Sequence, residues 1–224
     1  MNYQGKKAIY NCKDASFDEG GEGTLFDIVD KPDLCAKIYK PGKLLQTTID
    51  KLSVMTDAVP PGVEDCIAWP LDILSLDGRV CGFVMKKFSG LTPLVHLLSE
   101  KSFLWEERII VAYNLCDMVE FIHKTGQCIG DMNPKNFGVD PKTGHIVSFD
   151  ADSFHFRKGD KIYPCYVGDE HYYAPEIQRL LKGNTDMRTL DPRTTFTQQT
   201  DLFALAELIS SYCLWATILS LKEP

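Results

Sequence analysis

The chain has 224 residues, 44% of them apolar and 25% charged, with 31 acidic against 24 basic residues and a net charge of −7. Such a composition suits one large domain or two small lobes with a real core, and excludes disordered, collagen-like and low-complexity classes. The acidic balance gives no global attraction to nucleic acid or anionic lipid, so neither is an expected partner.

The N-terminus, MNYQGKKAIYNCKD, lacks an apolar core of signal-peptide length. Eight cysteines, at 12, 35, 66, 81, 116, 128, 165 and 213, are scattered and never form C-x-x-C. That spacing argues against zinc and a disulfide framework, and for buried thiols in a reducing cytoplasm. Residues 8–40 read as antiparallel strands around AIYNC, TLFDIVD and LCAKIYK, with a glycine cluster and a Lys-Pro-Asp turn between them. Residues 43–57 carry Leu45, Ile49, Leu52 and Met55 near helical spacing, and VPPG ends that helix. Two further strands are expected at 67–76 and 79–87, joined by a hairpin at Leu76-Asp77-Gly78-Arg79.

After Gly90 the character becomes helical. LTPLVHLLSE starts a helix, and 104–124 is a long one with Ile109, Ala112, Leu115, Val119 and Ile122 as its apolar set. A loop-rich stretch with short strands covers 126–173, and helices return near 174–182 and 200–220. The run 202–221 has one charge, Glu207, and is long enough to span a bilayer. It reads better as a buried core helix, and no membrane span is favoured. The expected fold class is α+β, with a sheet-rich lobe at 1–88 and a mainly helical lobe at 89–224.

Five features follow one another along the chain. Asp18-Glu19-Gly20-Gly21-Glu22-Gly23-Thr24 is a glycine-rich turn whose backbone can approach a phosphate. Lys37 lies between Ala36 and Ile38 in an apolar strand, where an ammonium needs an anionic partner. IGDMNPKNFGV sets Asp131 and Asn136 five apart, a carboxylate able to accept a hydroxyl proton and an amide able to ligate a cation. HIVSFDADSF brings Asp150 and Asp152 to a strand end, suited to a hard cation. YYAPEI and TDLFALAEL open two helices.

This order resembles the protein-kinase signature set. The chain looks like a bacterial member of the eukaryotic-type Ser/Thr protein kinase superfamily, in a branch that often carries C-terminal helix-hairpin-helix modules. The resemblance covers about residues 8–215, and implies a bilobal fold with a small antiparallel-sheet N-lobe bearing one helix and a mainly helical, incomplete C-lobe. It implies that Gly20, Gly21 and Gly23 cover the phosphates of ATP and that Lys37 binds its α- and β-phosphates. The main chain of Met85, Lys86, Lys87 and Phe88 would meet adenine. Asp131 would be the base or the orienter of the substrate hydroxyl, Asn136 and Asp150 would hold Mg²⁺, Glu176 would be the structural glutamate of the A-P-E element, and Asp201 would brace the catalytic loop. The activation segment would span 153–173. The implied activity is transfer of the γ-phosphate to a Ser or Thr hydroxyl of a protein.

The departures carry expectations too. Ile129-Gly130 replaces the usual His-Arg before the base, Asn133 replaces a lysine, and Asp152 replaces a glycine. Asp18 stands where a first loop glycine is usual. The helix 43–57 has no glutamate, so Lys37 would pair with Asp50 or with nothing there. The chain stops at Pro224, so Glu176 lacks its usual arginine and the 202–221 helix would need a partner or self-association to cover it. These points keep open a pseudokinase, a nucleotide-binding scaffold, or a kinase-fold transferase of other chemistry such as nucleotidyl transfer. His123 reads as a packing histidine, Trp69 and Trp105 as core or lobe packing, and Lys86-Lys87 as a solvated pair.

Overall fold

The N-terminal strands alternate inward apolar and outward polar residues, and that alternation builds the first half of the molecule. The computed structural model describes residues 1–98, 103–183 and 186–220, without the side chains of 98 and 212–220. It divides into two units, Met1–Ser89 and Gly90–Pro224. Both are mixed α/β, and every strand pair is antiparallel.

In the first unit, strands β1 (Asn2–Gly5), β2 (Ile9–Glu19), β3 (Gly23–Ile28), β4 (Leu34–Tyr39), β5 (Asp72–Leu76) and β6 (Arg79–Lys86) close into a barrel in the order β1-β2-β3-β4-β6-β5. Tyr3, Tyr10, Cys12, Ile28, Ala36, Leu74 and Val84 form a core cluster, with Ile38 packed against it. Closure is a finding beyond the expected sheet. It depends on β1, which pairs with both β2 and β5. Only Tyr3 and Gly5 of β1 are buried, too few positions for a period of two to show in sequence.

Asp72 secures the closure. Its buried carboxylate accepts hydrogen bonds from the main-chain N–H of Lys6 (3.0 Å) and Lys7 (2.8 Å) and from the Tyr10 hydroxyl (3.0 Å). A Cβ on Gly5 would lie 2.4 Å from the Asp72 Oδ2, so only glycine lets the chain pass. Burial, then the bond to Asp72, pushes the Tyr10 phenol up to about 12.

Helix α1 (Gln46–Asp57) starts later than the spacing suggests, and buries Leu52 and Met55 while Leu45 stays exposed. Trp69 is buried and donates from Nε1 to the Met55 carbonyl at 3.1 Å. One further helical turn, α2 (Val63–Cys66), follows the VPPG break. Lys86 and Lys87 are not a solvated pair. Both are half-buried; Lys87 pairs with Asp27, and Lys86 lies 3.7 Å from Asp65.

The second unit holds the three-stranded sheet β7 (Thr92–Pro93), β8 (Phe137–Val139) and β9 (Ile146–Ser148), and the hairpin β10 (Phe156–Lys158) and β11 (Lys161–Tyr163). Around them run α3 (Leu94–Leu98), α4 (Trp105–Lys124), α5 (Pro175–Leu181) and α6 (Gln198–Ser220). The α4 inner face is Arg108, Val111, Ala112, Leu115, Met118, Val119 and Ile122. Ile109, expected inside, is 46% exposed, and Trp105, expected in core or lobe packing, is 48% exposed. Arg108 explains the rotation. Its guanidinium is buried because it donates to the carbonyls of Leu97 and Phe103, each at 3.2 Å, so a charged residue holds an inner position.

Helix α6 buries Asp201, Ala204, Leu205 and Leu208, leaves Leu202 51% exposed, and packs on α4. Most of the 202–221 stretch expected to lack cover lies outside the described side chains. No helix among the described residues is long and apolar enough to cross a membrane. None of the seven described cysteines forms a disulfide; Cys116 is exposed rather than buried.

Asp72→Ala is expected to lower stability by about 2–4 kcal/mol, because three buried donors lose one acceptor. Denaturant unfolding checks this, with the exposed Ile9→Ala as a control within about 0.5 kcal/mol of wild type.

Candidate active site

The residues singled out by sequence fall into two clusters, one in each unit. In the first unit, β2 and β3 form a hairpin whose tip is Gly20–Glu22, closed by Gly20 N–H donating to the Gly23 carbonyl at 2.9 Å. Gly23 is required by packing: a Cβ there would sit 2.8 Å from the Ile38 carbonyl and 3.3 Å from the Lys37 Cγ. Gly20 and Gly21 are different. Neither has a positive φ, and a Cβ on Gly21 would meet nothing within 4 Å. The hairpin itself does not demand glycine there, which leaves space over the tip for another group.

Lys37 sits in β4 with Leu25 and Phe83 as its cross-strand neighbours. Ala36 and Ile38 point into the barrel, so Lys37 points out of it by strand alternation. It is 6% exposed, with Nζ 5.6 Å from the Tyr39 ring centroid and 5.8 Å from that of Phe83. Two aromatic faces stabilise the buried cation. Asp50 of α1 accepts from Gln46 Nε2 at 2.9 Å. At the end of β6, Met85 is buried. The Lys87 N–H donates to the Asp33 carbonyl at 2.8 Å, so that amide is already engaged within the fold.

The second cluster is built on the loop after α4. Asp201, in the first turn of α6, is 1% exposed. Its Oδ2 accepts from the N–H of Ile129 (2.7 Å) and its Oδ1 from the N–H of Gly130 (2.9 Å). His123 Nε2 also lies 3.0 Å from Oδ2. His123, a packing histidine by sequence, shares this carboxylate. The partners are 78 residues apart, so no local pattern signals the pair. Gly130 has φ +80°, and a Cβ on it would meet Cys165 at 3.0 Å. At the position that carries arginine in the resembled motif, a side chain would therefore be strained by the backbone and would press on Cys165.

Asp131 follows directly. Its Oδ2 accepts from Asn136 Nδ2 at 2.9 Å, and the same amide donates to the Asp131 carbonyl at 3.2 Å. Asn136 is held by a short 3₁₀ turn, Pro134–Asn136, capped by the Asn133 side chain accepting from Lys135 N–H at 3.0 Å. The Asn136 Oδ1 is left as the acceptor end of the amide. The Asp131 Oδ1 is buried with no hydrogen-bond partner among the described residues. Burial raises the Asp131 carboxyl above its ordinary range more than the Asn136 side chain and the Asn133 main chain lower it, and the charges of Asp150 and Asp169 add to the rise.

Asp150 follows β9 and is exposed, with φ +53°, a left-handed conformation uncommon for a residue with a Cβ. Asp152, two residues on, is buried. Among the described residues no three His, Cys, Asp or Glu side chains cluster as a metal cage. The Asn136 amide oxygen and the Asp150 carboxylate are nonetheless hard oxygen donors, and magnesium is commonly held by one or two carboxylates plus substrate phosphates.

Asp169 was not singled out by sequence. It accepts from His171 Nδ1 at 2.7 Å and from Asn133 Nδ2 at 3.4 Å, which ties the stretch before α5 to the Asp131 loop. Glu176 is exposed in the first turn of α5 and makes no ion pair among the described residues.

No family model matches the sequence. A protein kinase, YegI of Escherichia coli strain K12, is 33% identical over 174 residues, which is 72% of this chain and 26% of YegI. YegI of E. coli O157:H7 matches with the same identity and coverage. Ribosomal protein S6 kinase 2 alpha of Gallus gallus is 28% identical over 107 residues, 45% of this chain and 14% of that protein. The match thus spans about a quarter of the bacterial relatives' length.

Asp201→Ala is expected to cost about 3 kcal/mol or more, since two buried N–H groups lose their acceptor. Hydrogen exchange should show the amides of Ile129 and Gly130 losing protection first. For Asp131 the sign is opposite. A carboxyl whose folded pKa is raised loses stability as pH rises from its ordinary value of 3.8 through the folded value. Asp131→Asn is therefore expected to be more stable than wild type at pH 7. That gap should close on acidification towards pH 3.8, as read by unfolding at a series of pH values.

Proposed function

The chain belongs to a bacterial protein-kinase-like family, and on that premise we propose that it is an ATP- and Mg²⁺-dependent protein kinase transferring the γ-phosphate to Ser or Thr hydroxyls. In this reading the fold is bilobal, with residues 1–88 the N-lobe and 89–224 the C-lobe, and the protein works in the cytoplasm. One observation supports it most: Asp131 keeps a buried carboxylate oxygen without a donor while Asn136 holds the other. A buried acceptor left unpaired is costly, and its persistence suits a hydroxyl donor brought by a substrate.

The chain's own residues divide the work. The hairpin tip at Gly20 and Gly21, with Gly23, covers the phosphates, and Lys37 neutralises the α- and β-phosphates from its aromatic seat. Asp131 orients the acceptor hydroxyl and takes its proton. Asn136 and Asp150 hold Mg²⁺. When bound, the metal supplies positive charge against the phosphate oxygens. Asp201 and His123 keep the loop fixed, so little reorganisation is needed during transfer.

A second reading is nucleotide binding without transfer. The engaged Lys87 amide, which removes one donor from the stretch expected to meet adenine, favours it.

Asp131→Ala is expected to lower phosphate transfer from labelled ATP by about 10²–10⁴-fold while nucleotide affinity is retained. Lys37→Met should weaken MgATP binding, and EDTA should abolish transfer until Mg²⁺ is restored. Equal transfer by wild type and Asp131→Ala contradicts the kinase reading. Mass spectrometry showing an added nucleotide in place of a phosphate points to nucleotidyl transfer instead.

A further inference from the structure

The outer face of α4 carries an apolar stripe that neither the fold nor the proposed chemistry uses. Trp105, Ile109 and Tyr113 are spaced four apart and are 48%, 46% and 65% exposed. Cys116, three residues further on, is also exposed. Spacings of three and four place all of these on one side of the helix. Leu104 (62% exposed) and Ile110 (48%) widen the stripe at its N-terminal end. Scattered surface apolar groups are ordinary. A contiguous set led by Trp and Tyr is the composition of a binding hot spot.

The charges on the same helix select the occupant. Its exposed charged residues are Glu106, Asp117, Glu120 and Lys124. Glu120 and Lys124 pair at 2.9 Å, which leaves Glu106 and Asp117 unbalanced, one beside each end of the stripe. A second copy fits poorly. Antiparallel self-pairing of α4 would bring Glu106 of one copy near Asp117 of the other, and parallel pairing would bring each acid near itself. An anionic bilayer is repelled by the same two groups. We propose that the Trp105–Ile109–Tyr113 face docks an amphipathic helix of another protein whose apolar side is flanked by Lys or Arg.

The probe is a short fluorescent Leu/Lys peptide patterned as an amphipathic helix, added to the full chain and followed by anisotropy. A Leu/Glu peptide of the same pattern is the charge control. The Leu/Lys peptide is expected to bind, and to bind about tenfold or more weakly to Ile109→Asp combined with Tyr113→Asp. Both positions are exposed, so the fold should be kept, as thermal unfolding will check. The sign is diagnostic. General attraction of a cationic peptide to a chain of charge −7 predicts tighter binding to the more acidic variant. Leu202→Asp, at an exposed apolar residue of α6, should bind as wild type does. No binding of the Leu/Lys peptide, equal binding of the Leu/Glu peptide, or undiminished binding to the double variant overturns the proposal. So does a dimer in sedimentation that the double variant dissolves.

Discussion

One buried carboxylate organises the C-terminal unit. Asp201 sits at the start of α6 and takes the N–H groups of Ile129 and Gly130, with His123 from the end of α4 beside it. A carboxyl group this deep is tolerable only when its oxygens are hydrogen-bonded, and here two main-chain N–H groups and the His123 ring surround it. The arrangement links two packed helices to a loop that has no regular structure of its own. Asp131 lies one residue beyond the second of those amides, so its position follows from the brace.

The loop shows how stability and chemistry oppose each other. Asp201 is buried and satisfied, whereas Asp131 is half-buried with one buried oxygen unsatisfied and Asp150 and Asp169 adding negative charge nearby. Asp150 also holds a left-handed backbone. Strain and unpaired polarity concentrated in a few residues, on a scaffold that is otherwise well satisfied, are common at functional sites. Gly130 adds a second constraint. Its positive φ and the closeness of Cys165 to where a Cβ would stand strain any side chain placed before Asp131.

The sequence made the local features legible and concealed the long-range ones. The strands around Lys37, the long α4 and the D-x-x-x-x-N loop follow from alternation, helical spacing and turn chemistry within a few residues. Barrel closure does not, because β1 offers only Tyr3 and Gly5 as inward positions and its second partner, β5, lies some 70 residues away. His123 could not be matched to Asp201 for the same reason. Ile109 and Trp105 face outward because a buried Arg108, satisfied by two carbonyls, takes an inner position that helical spacing alone assigns to apolar residues. The roles of Gly20, Gly21, Lys37, Asn136 and Asp150 rest on order and chemistry in both cases, since each is a statement about a ligand.

The central claim is that the Asp131 loop serves phosphate transfer. A single-turnover experiment tests it most directly: excess protein is mixed with MgATP, quenched over time, and analysed for ADP and for modified residues. ADP is expected to appear together with an equal amount of phosphoserine or phosphothreonine. ATP that binds and is recovered unchanged would contradict that claim.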